Sequence, residues 1–277
     1  MTQALLESLK NSPALLRSLP EASLFDQSWL KMPHRENLST LKFRQKLGHV
    51  TEDALSLLIE HSPDLDLIGR NIQVQESPQK TLGELDFLLT HRQQPSTIHL
   101  ELATKYYLAT QDRHGQWSYP GPNSSDNWHK KLQRLISHQF TLSEHPATKR
   151  LLKERFDISS PLRVQHLIIG RFFHHLSLSN PPLPTAAPPL PRAANTSLGW
   201  GQWLRLEEFS HYFDHQEVFI LPKALWSSPS HSIQSLLSPT SVSQLLLLAQ
   251  NQCTMFQVPD NMTSFFLVPN QWNKPIE

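Results

Sequence analysis

The sequence predicts an α/β protein, a mixed β-sheet flanked by helices, on three observations. Residues 81–107, TLGELDFLLTHRQQPSTIHLELATKYY, read as two strands and a turn. Leu82, Leu85, Phe87, Leu88 and Leu89 make the first run too apolar for a surface segment. Ile98, Leu100, Leu102 and Ala103 do the same for the second, and the polar linker HRQQPST between them turns. Helix-periodic stretches stand on either side, over 41–60 and 124–142. A dense apolar run at 163–173, RVQHLIIGRFF, then makes the order strand, helix, strand, which a mixed sheet with a helical crossover accommodates.

The elements follow in order. Residues 2–18 carry an apolar-periodic helix interrupted at Ser12-Pro13, and 19–38 are irregular. In 41–60, Leu47, Val50, Ala54, Leu55, Leu57, Leu58 and Ile59 give a broad apolar face, and His61-Ser62-Pro63 ends the helix. Residues 65–76 alternate toward their end and read as a strand. After Tyr107 comes a polar loop with Pro120-Gly121-Pro122-Asn123, then the helix 124–142, opened by Ser124, Ser125 and Asp126. A basic helix over 146–156 precedes the strand at 163–173. Further on, Leu204–Phe213 looks helical, 217–221 is a strand, 234–250 contains a helix, and 255–258 with 264–268 make a hairpin. Domain organisation reads as a helical segment 1–40, a sheet core 41–178, a Pro-rich insertion or linker 179–197 and a C-terminal α+β extension 198–277 packed on the core.

Composition narrows the function. Of 277 residues, 38% are hydrophobic and 18% charged, which is a globular balance. The net charge of +1 gives no global field for nucleic acid, so such binding needs a local patch. A single cysteine, Cys253, excludes an internal disulfide and a cysteine-rich zinc site. The amino terminus lacks the apolar core of a signal peptide, and no run approaches the roughly 18–20 apolar residues of a membrane span. The expected compartment is the cytosol, with no membrane partner.

Acids interrupt the central apolar runs. Glu84 and Asp86 lie two apart, so a regular strand points both to one face; Glu101, Ala103 and Lys105 share a face by the same rule. A buried carboxylate is costly unless it is paired or binds a metal. Mg²⁺ or Mn²⁺ takes oxygen ligands, and two carboxylates on neighbouring strands would hold one beside a phosphate. The metal would activate water and stabilise charge on phosphorus, with a lysine assisting. A structural salt-bridge network, with the buried acids paired to Lys131, fits the same spacing. Other signals are weaker. His211 and His215 stand at helical spacing without a third ligand, His174 and His175 point apart on a strand, and no Gly-rich phosphate loop is present.

The array resembles the PD-(D/E)XK nuclease superfamily. That resemblance implies a restriction-endonuclease-like sheet, metal ligands Asp86 and Glu101, and a supporting acid, Glu52, from the first core helix. The Glu-x-Lys spacing is not kept: Ala103 stands two after Glu101. Lys105 lies about 7 Å further along the strand than the expected lysine, and Lys131 on the following helix is the other choice. The chain is more closely similar to the bacterial Domain-of-Unknown-Function 1853 family, grouped with those nucleases. SPALL at 12–16, Leu47-Gly48 with Glu52, GELDFLL at 83–89 and HLELATKYYL at 99–108 match. So do GPN at 121–123 with Asp126, Lys131 and Arg134, His138-Gln139, and FLVPNQW at 266–272. The resemblance implies a metal-dependent nuclease or phosphodiesterase. Asp86 and Glu101 would hold Mg²⁺ or Mn²⁺, backed by Glu52 and Glu84. Lys105 or Lys131 would assist, and Asn123, Asp126, Arg134, His138 and Gln139 would support the site. The rival readings are a nuclease-fold protein without catalysis, serving as a binding or scaffold module, and a hydrolase of a small phosphorylated ligand.

Overall fold

The computed structural model describes residues 1–34, 41–179, 188–228, 233–259, 261 and 263–273. Its strands are β1 (Ser23–Leu24), β2 (Leu65–Ser77), β3 (Lys80–His91), β4 (Gln94–Leu108), β5 (Thr110–Gln111), β6 (Trp117–Ser118) and β7 (Arg163–His175). They continue with β8 (Gly201–Arg205), β9 (Glu217–Leu221), β10 (Thr240–Ser241), β11 (Thr254–Gln257) and β12 (Phe265–Val268). The main helices are α1 (Thr2–Asn11), α2 (Leu47–Glu60), α3 (Trp128–Arg134) and α4 (Pro146–Phe156). One large mixed sheet runs β10-β9-β11-β12-β8-β7-β4-β3-β2, with β1 beside the start of β7. The protein is thus a mixed α/β fold. Its C-terminal strands lengthen the same sheet through the parallel pairs β7–β8 and β8–β12.

Side-chain alternation sorts the helices onto two faces. Leu100 and Leu102 of β4 with Leu167 and Ile169 of β7 pack against α1 and α2 through Leu5, Leu9, Val50, Ala54 and Leu58. Ala103, Tyr107, Ile168 and Phe172 pack on the other face against Trp128, Leu132 and Leu135. Helix α4 covers the outer strands of that second face through Ala147 and Leu152, against Ile72, Val74, Leu85 and Leu88. In the pairing of β4 with β7, Lys105 stands opposite Gly170. Gly170 has φ +142°, and a Cβ there would lie 1.6 Å from the Lys105 carbonyl oxygen, so only glycine fits.

Several expected boundaries shift for local reasons. Helix α2 starts at Leu47 rather than near 41. Helix α3 starts at Trp128, not at 124, because Asn127 is the cap: its side chain accepts from His129 N–H. The preceding Ser124–Asp126 belong to a turn in which Asn123 Oδ1 accepts from Ser125. The helix continues as a single wide π turn, Leu135–Gln139, and ends there. The expected linker at 91–97 shrinks to Arg92-Gln93, since β4 already begins at Gln94. Residues 201–205, which include the first part of the stretch expected to be helical, form β8, followed by a short helical turn over 206–212. The helix expected within 234–250 occupies only Val242–Ala249, capped by Ser241. In the Pro-rich stretch, 180–187 lie outside the described residues. Its second half is docked rather than free: Tyr119 donates to the Pro189 carbonyl and Trp128 Nε1 to that of Arg192 at 3.0 Å.

Candidate active site

The two long central strands do not stay together. Antiparallel pairing of β3 with β4 runs from His91↔Gln94 to Phe87↔Leu100 and stops. Beyond it β3 continues with β2, while β4 continues with β7 to Leu108. The pair that regular register would bring next is Asp86 opposite Glu101, so both acids sit where the strands part. The cause lies in β2 and β3. Leu85 packs with Ile72 and Val74 under α4, whereas Phe87 and Leu89 pack under α2. Residues 85 and 87 of a regular strand share a face, so alternation slips at Asp86. Asn71, opposite in register, takes the left-handed conformation with φ +52°, which Asn tolerates better than most residues.

The slip corrects the expectation that strand alternation alone sets Glu84 and Asp86 on one face beside Glu101. Asp86 turns into the gap, and its Oδ2 accepts from the Leu102 backbone N–H of β4 at 2.9 Å. That amide has lost its β3 partner, and the carboxylate replaces it. Glu101 points toward α3 and is 3% exposed. Gln139 Nε2 lies 3.1 and 3.3 Å from its two oxygens, and Lys131 Nζ lies 3.6 Å from Oε1. The π turn matters here, because its extra residue per turn swings Gln139 over the strand. Glu52 arrives from the opposite face on α2. Asn71 Nδ2 donates to it at 3.0 Å and His49 Nδ1 stands 3.4 Å away. Thr51 and Thr104 hydroxyls, 3.1 Å apart, fasten α2 to β4 beside the gap.

Electrostatics join these residues into one centre. Burial and then the Glu101 charge push the Asp86 carboxyl up to about 8, with Glu52 adding to the rise and Lys131 opposing it. Burial also raises Glu101, against the pull of Lys131, Gln139 and Arg134. Burial raises Glu84, and Glu52 raises it further. Lys131 is lowered, first by burial, with Lys105 and Arg134 contributing, while Glu101 and Asp86 act the other way. Lys105 turns elsewhere: its Nζ is 2.7 Å from Asp126 Oδ2 on the rim. Asn123 is spent on its own turn. His138 stands near Gly83, where an added Cβ would lie 3.4 Å from its Nε2.

The structure therefore brings Asp86, Glu101, Lys131 and Gln139 together, sets Glu52, Glu84 and Arg134 within electrostatic reach, and leaves Lys105, Asp126 and Asn123 at the edge. Among the described residues no group of three or more His, Cys, Asp or Glu side chains could hold a metal ion. Sequence reasoning missed Asn71, Thr51 and His99. Asn71 was detectable as the residue type that accepts φ > 0 inside an apparent strand. His99, on the Glu101 face of β4, is fully buried with no hydrogen-bond partner at either ring nitrogen, and burial lowers it to about 4.

The fold and these residues define a class: a mixed α/β-sheet protein with a buried acidic centre at a point of strand separation. The chain belongs to the Domain of unknown function (DUF1853) family, whose model matches residues 2–261. No curated protein and no solved structure matches it. Among the described residues, no helix is long and apolar enough to cross a membrane.

Proposed function

We propose that the chain is a metal-dependent phosphodiesterase acting on nucleic acid, built on the PD-(D/E)XK plan. One observation carries this reading: Asp86 and Glu101 meet where β3 and β4 part, with Lys131 3.6 Å from Glu101. Two carboxylates raised by burial form a site that gains by exchanging protons for a dication. Mg²⁺ uses one or two carboxylates and keeps its remaining positions for water and phosphate, so Asp86 and Glu101 fit it without a third protein ligand. When bound, such a metal supplies Lewis-acid stabilisation of charge on a phosphoryl oxygen. The residues do the rest. Leu102 N–H holds Asp86 in the gap, and Gln139 holds Glu101 in one orientation. Lys131, depressed by burial, stands beside the carboxylates to orient a water or to neutralise charge in the transition state. Glu52 adds negative charge from the other face, which favours the dication further.

The test is Mg²⁺- or Mn²⁺-dependent cleavage of DNA and RNA by wild type, Asp86→Ala and Lys131→Ala. Activity abolished by Asp86→Ala is the expected result, and activity surviving it belongs to a contaminant. The rival, a nuclease-fold binding or scaffold module, draws on the pairing of Glu101 with Lys131 and Gln139. A wild type inert under both metals decides for it.

A further inference from the structure

The departure of β3 leaves the edge of β4 without a sheet partner just past Glu101. A hollow of about 370 Å³ lies along that stretch, lined by Thr104, Lys105, Asn123, Lys223, Trp226 and Gln252. Thr104 is three residues from Glu101, about 10 Å along the strand. A second hollow, about 570 Å³, shares Lys223 and continues past Phe43, Arg44, Lys46 and Leu47 at the start of α2. The two meet at Lys223 and together run as one track from the Thr104 stretch of β4 to the loop before α2. One of its cations, Lys105, is paired with Asp126 at 2.7 Å. Arg70, Arg92, Lys149 and Lys153 are each paired with a carboxylate. Among the described residues Arg44, Lys46 and Lys223 have no ion-pair partner within 4 Å; Lys223 lies 5.9 Å from the centre of the Trp226 ring. Each hollow also holds one half-buried aromatic ring, Phe43 or Trp226. Trp226 is fixed by its Nε1 bond to the Leu221 carbonyl at 3.0 Å.

Resting on the phosphodiesterase reading, we propose that this track binds a single-stranded segment of nucleic acid and leads it to Asp86 and Glu101. Unpaired cations spaced along a groove neutralise successive phosphates, and aromatic rings in concave pockets receive unpaired bases. The Gln252 amide on the rim offers a donor and an acceptor to a base edge. This also explains how a chain of net charge +1 engages a polyanion: the positive charge is local and left free.

The experiment is fluorescence anisotropy in EDTA, which separates binding from cleavage, with a labelled 12-nucleotide single-stranded DNA, the same RNA and a 12-bp duplex. Wild type is compared with Arg44→Gln/Lys46→Gln, Lys223→Gln and a control, Arg150→Gln/Arg155→Gln on α4, after thermal melts establish that all are folded. The double variant is expected to bind single strands at least tenfold more weakly. Its plot of log affinity against log salt should be shallower by about 0.7 per charge removed. Lys223→Gln loses affinity in the same direction, and the control binds like wild type. The proposal is overturned by absent wild-type binding, by tighter binding of the duplex than of single strands, or by equal losses in the control. Hydrolysis of bis(p-nitrophenyl) phosphate with Mn²⁺ reads the chemistry separately. Oligonucleotide binding without hydrolysis ends the enzymatic reading and leaves the track standing. Hydrolysis with unchanged oligonucleotide binding in the track variants ends the track alone.

Discussion

Two lysines flank the same face of β4, and their ion pairs behave differently. Lys105–Asp126 is the shorter, at 2.7 Å, with both side chains about 30% exposed. Lys131–Glu101 is longer, at 3.6 Å, with 15% and 3% exposure. Distance alone would rank the first above the second. Burial reverses the order, because attraction and desolvation both grow as water is excluded, whereas an exposed pair is screened. The buried pair is also the one whose partners are both driven toward neutrality, Glu101 upward and Lys131 downward. A lysine–carboxylate pair thus makes a rim contact in one place and a buried pair driven toward neutrality in the other.

The largest expected effect lies at the buried centre beside Lys131. Asp86→Ala and Glu101→Ala are each expected to lower kcat by about 10³-fold or more, the scale of removing direct electrostatic stabilisation of a transition state. Single-turnover cleavage with excess enzyme measures it. Lys131→Met follows, with a loss of about 10²-fold. It also removes the cation from a buried carboxylate, a change on the order of 3–5 kcal/mol when the remaining charge persists. Glu101 escapes part of that penalty by taking a proton. Urea unfolding of Lys131→Met should therefore show a greater loss of stability at pH 8 than at pH 5.5. An equal loss at both would mean that Glu101 is not the charge Lys131 answers.

Much of this centre was legible in the sequence because strands and acids are local signals. The apolar runs around Asp86 and Glu101 fix β3 and β4, and the helix read over 146–156 is α4, with Pro146 in its first turn and Asp157 ending it in the left-handed conformation. What the sequence hides is the break in alternation. The pattern through Leu85, Phe87 and Leu89 looks regular, yet Leu85 and Phe87 face opposite layers. The slip depends on Asn71 across the sheet and on β2 pulling β3 away from β4, which are tertiary events. The start of α3 was misread for a different reason: Ser124, Asp126 and Asn127 are all good caps, and only the turn held by Asn123 selects the last. Strand β8 was hidden because its five residues take their conformation from β7 and β12.

A third effect, smaller than the kinetic ones, is visible in stability. The Asp86 pKa rises from 3.8 to about 8 on folding. Between those values the folded chain keeps a proton that the unfolded chain releases. The stabilisation is complete below the unfolded value and is lost as pH rises through about 8. Asp86→Asn mimics the protonated acid and still accepts from Leu102 N–H. It is expected to match wild type near pH 4 and to melt several degrees higher at pH 8.5, at about 2–4 °C per kcal/mol for a chain of this size. Mg²⁺ should raise the Tm of wild type at pH 8.5 and not that of the variant. A Tm difference independent of pH would break the assignment of Asp86 as the strained acid.

The smallest effect expected is that of Lys105→Met. Its ammonium is tied to Asp126, both remain partly in water, and exposed pairs are worth about 0.2–1 kcal/mol. Its removal leaves Asp126 able to find solvent, so no buried charge is stranded. Lys105 stands opposite Gly170 in β7, but it is the Lys105 backbone that Gly170 accommodates, and the substitution leaves that backbone alone. The variant should unfold within about 1 kcal/mol of wild type, with a difference that shrinks further as salt is raised. Its kcat should stay within threefold, against the hundredfold loss in Lys131→Met. The two single variants and the double variant, assayed together, close a thermodynamic cycle. Additive losses mean that the lysines act separately, as a rim contact and a central group. A loss above tenfold in Lys105→Met alone would reverse the comparison: the shorter, wetter pair would then supply the assisting cation, and Lys131 would be a structural partner of Glu101 only.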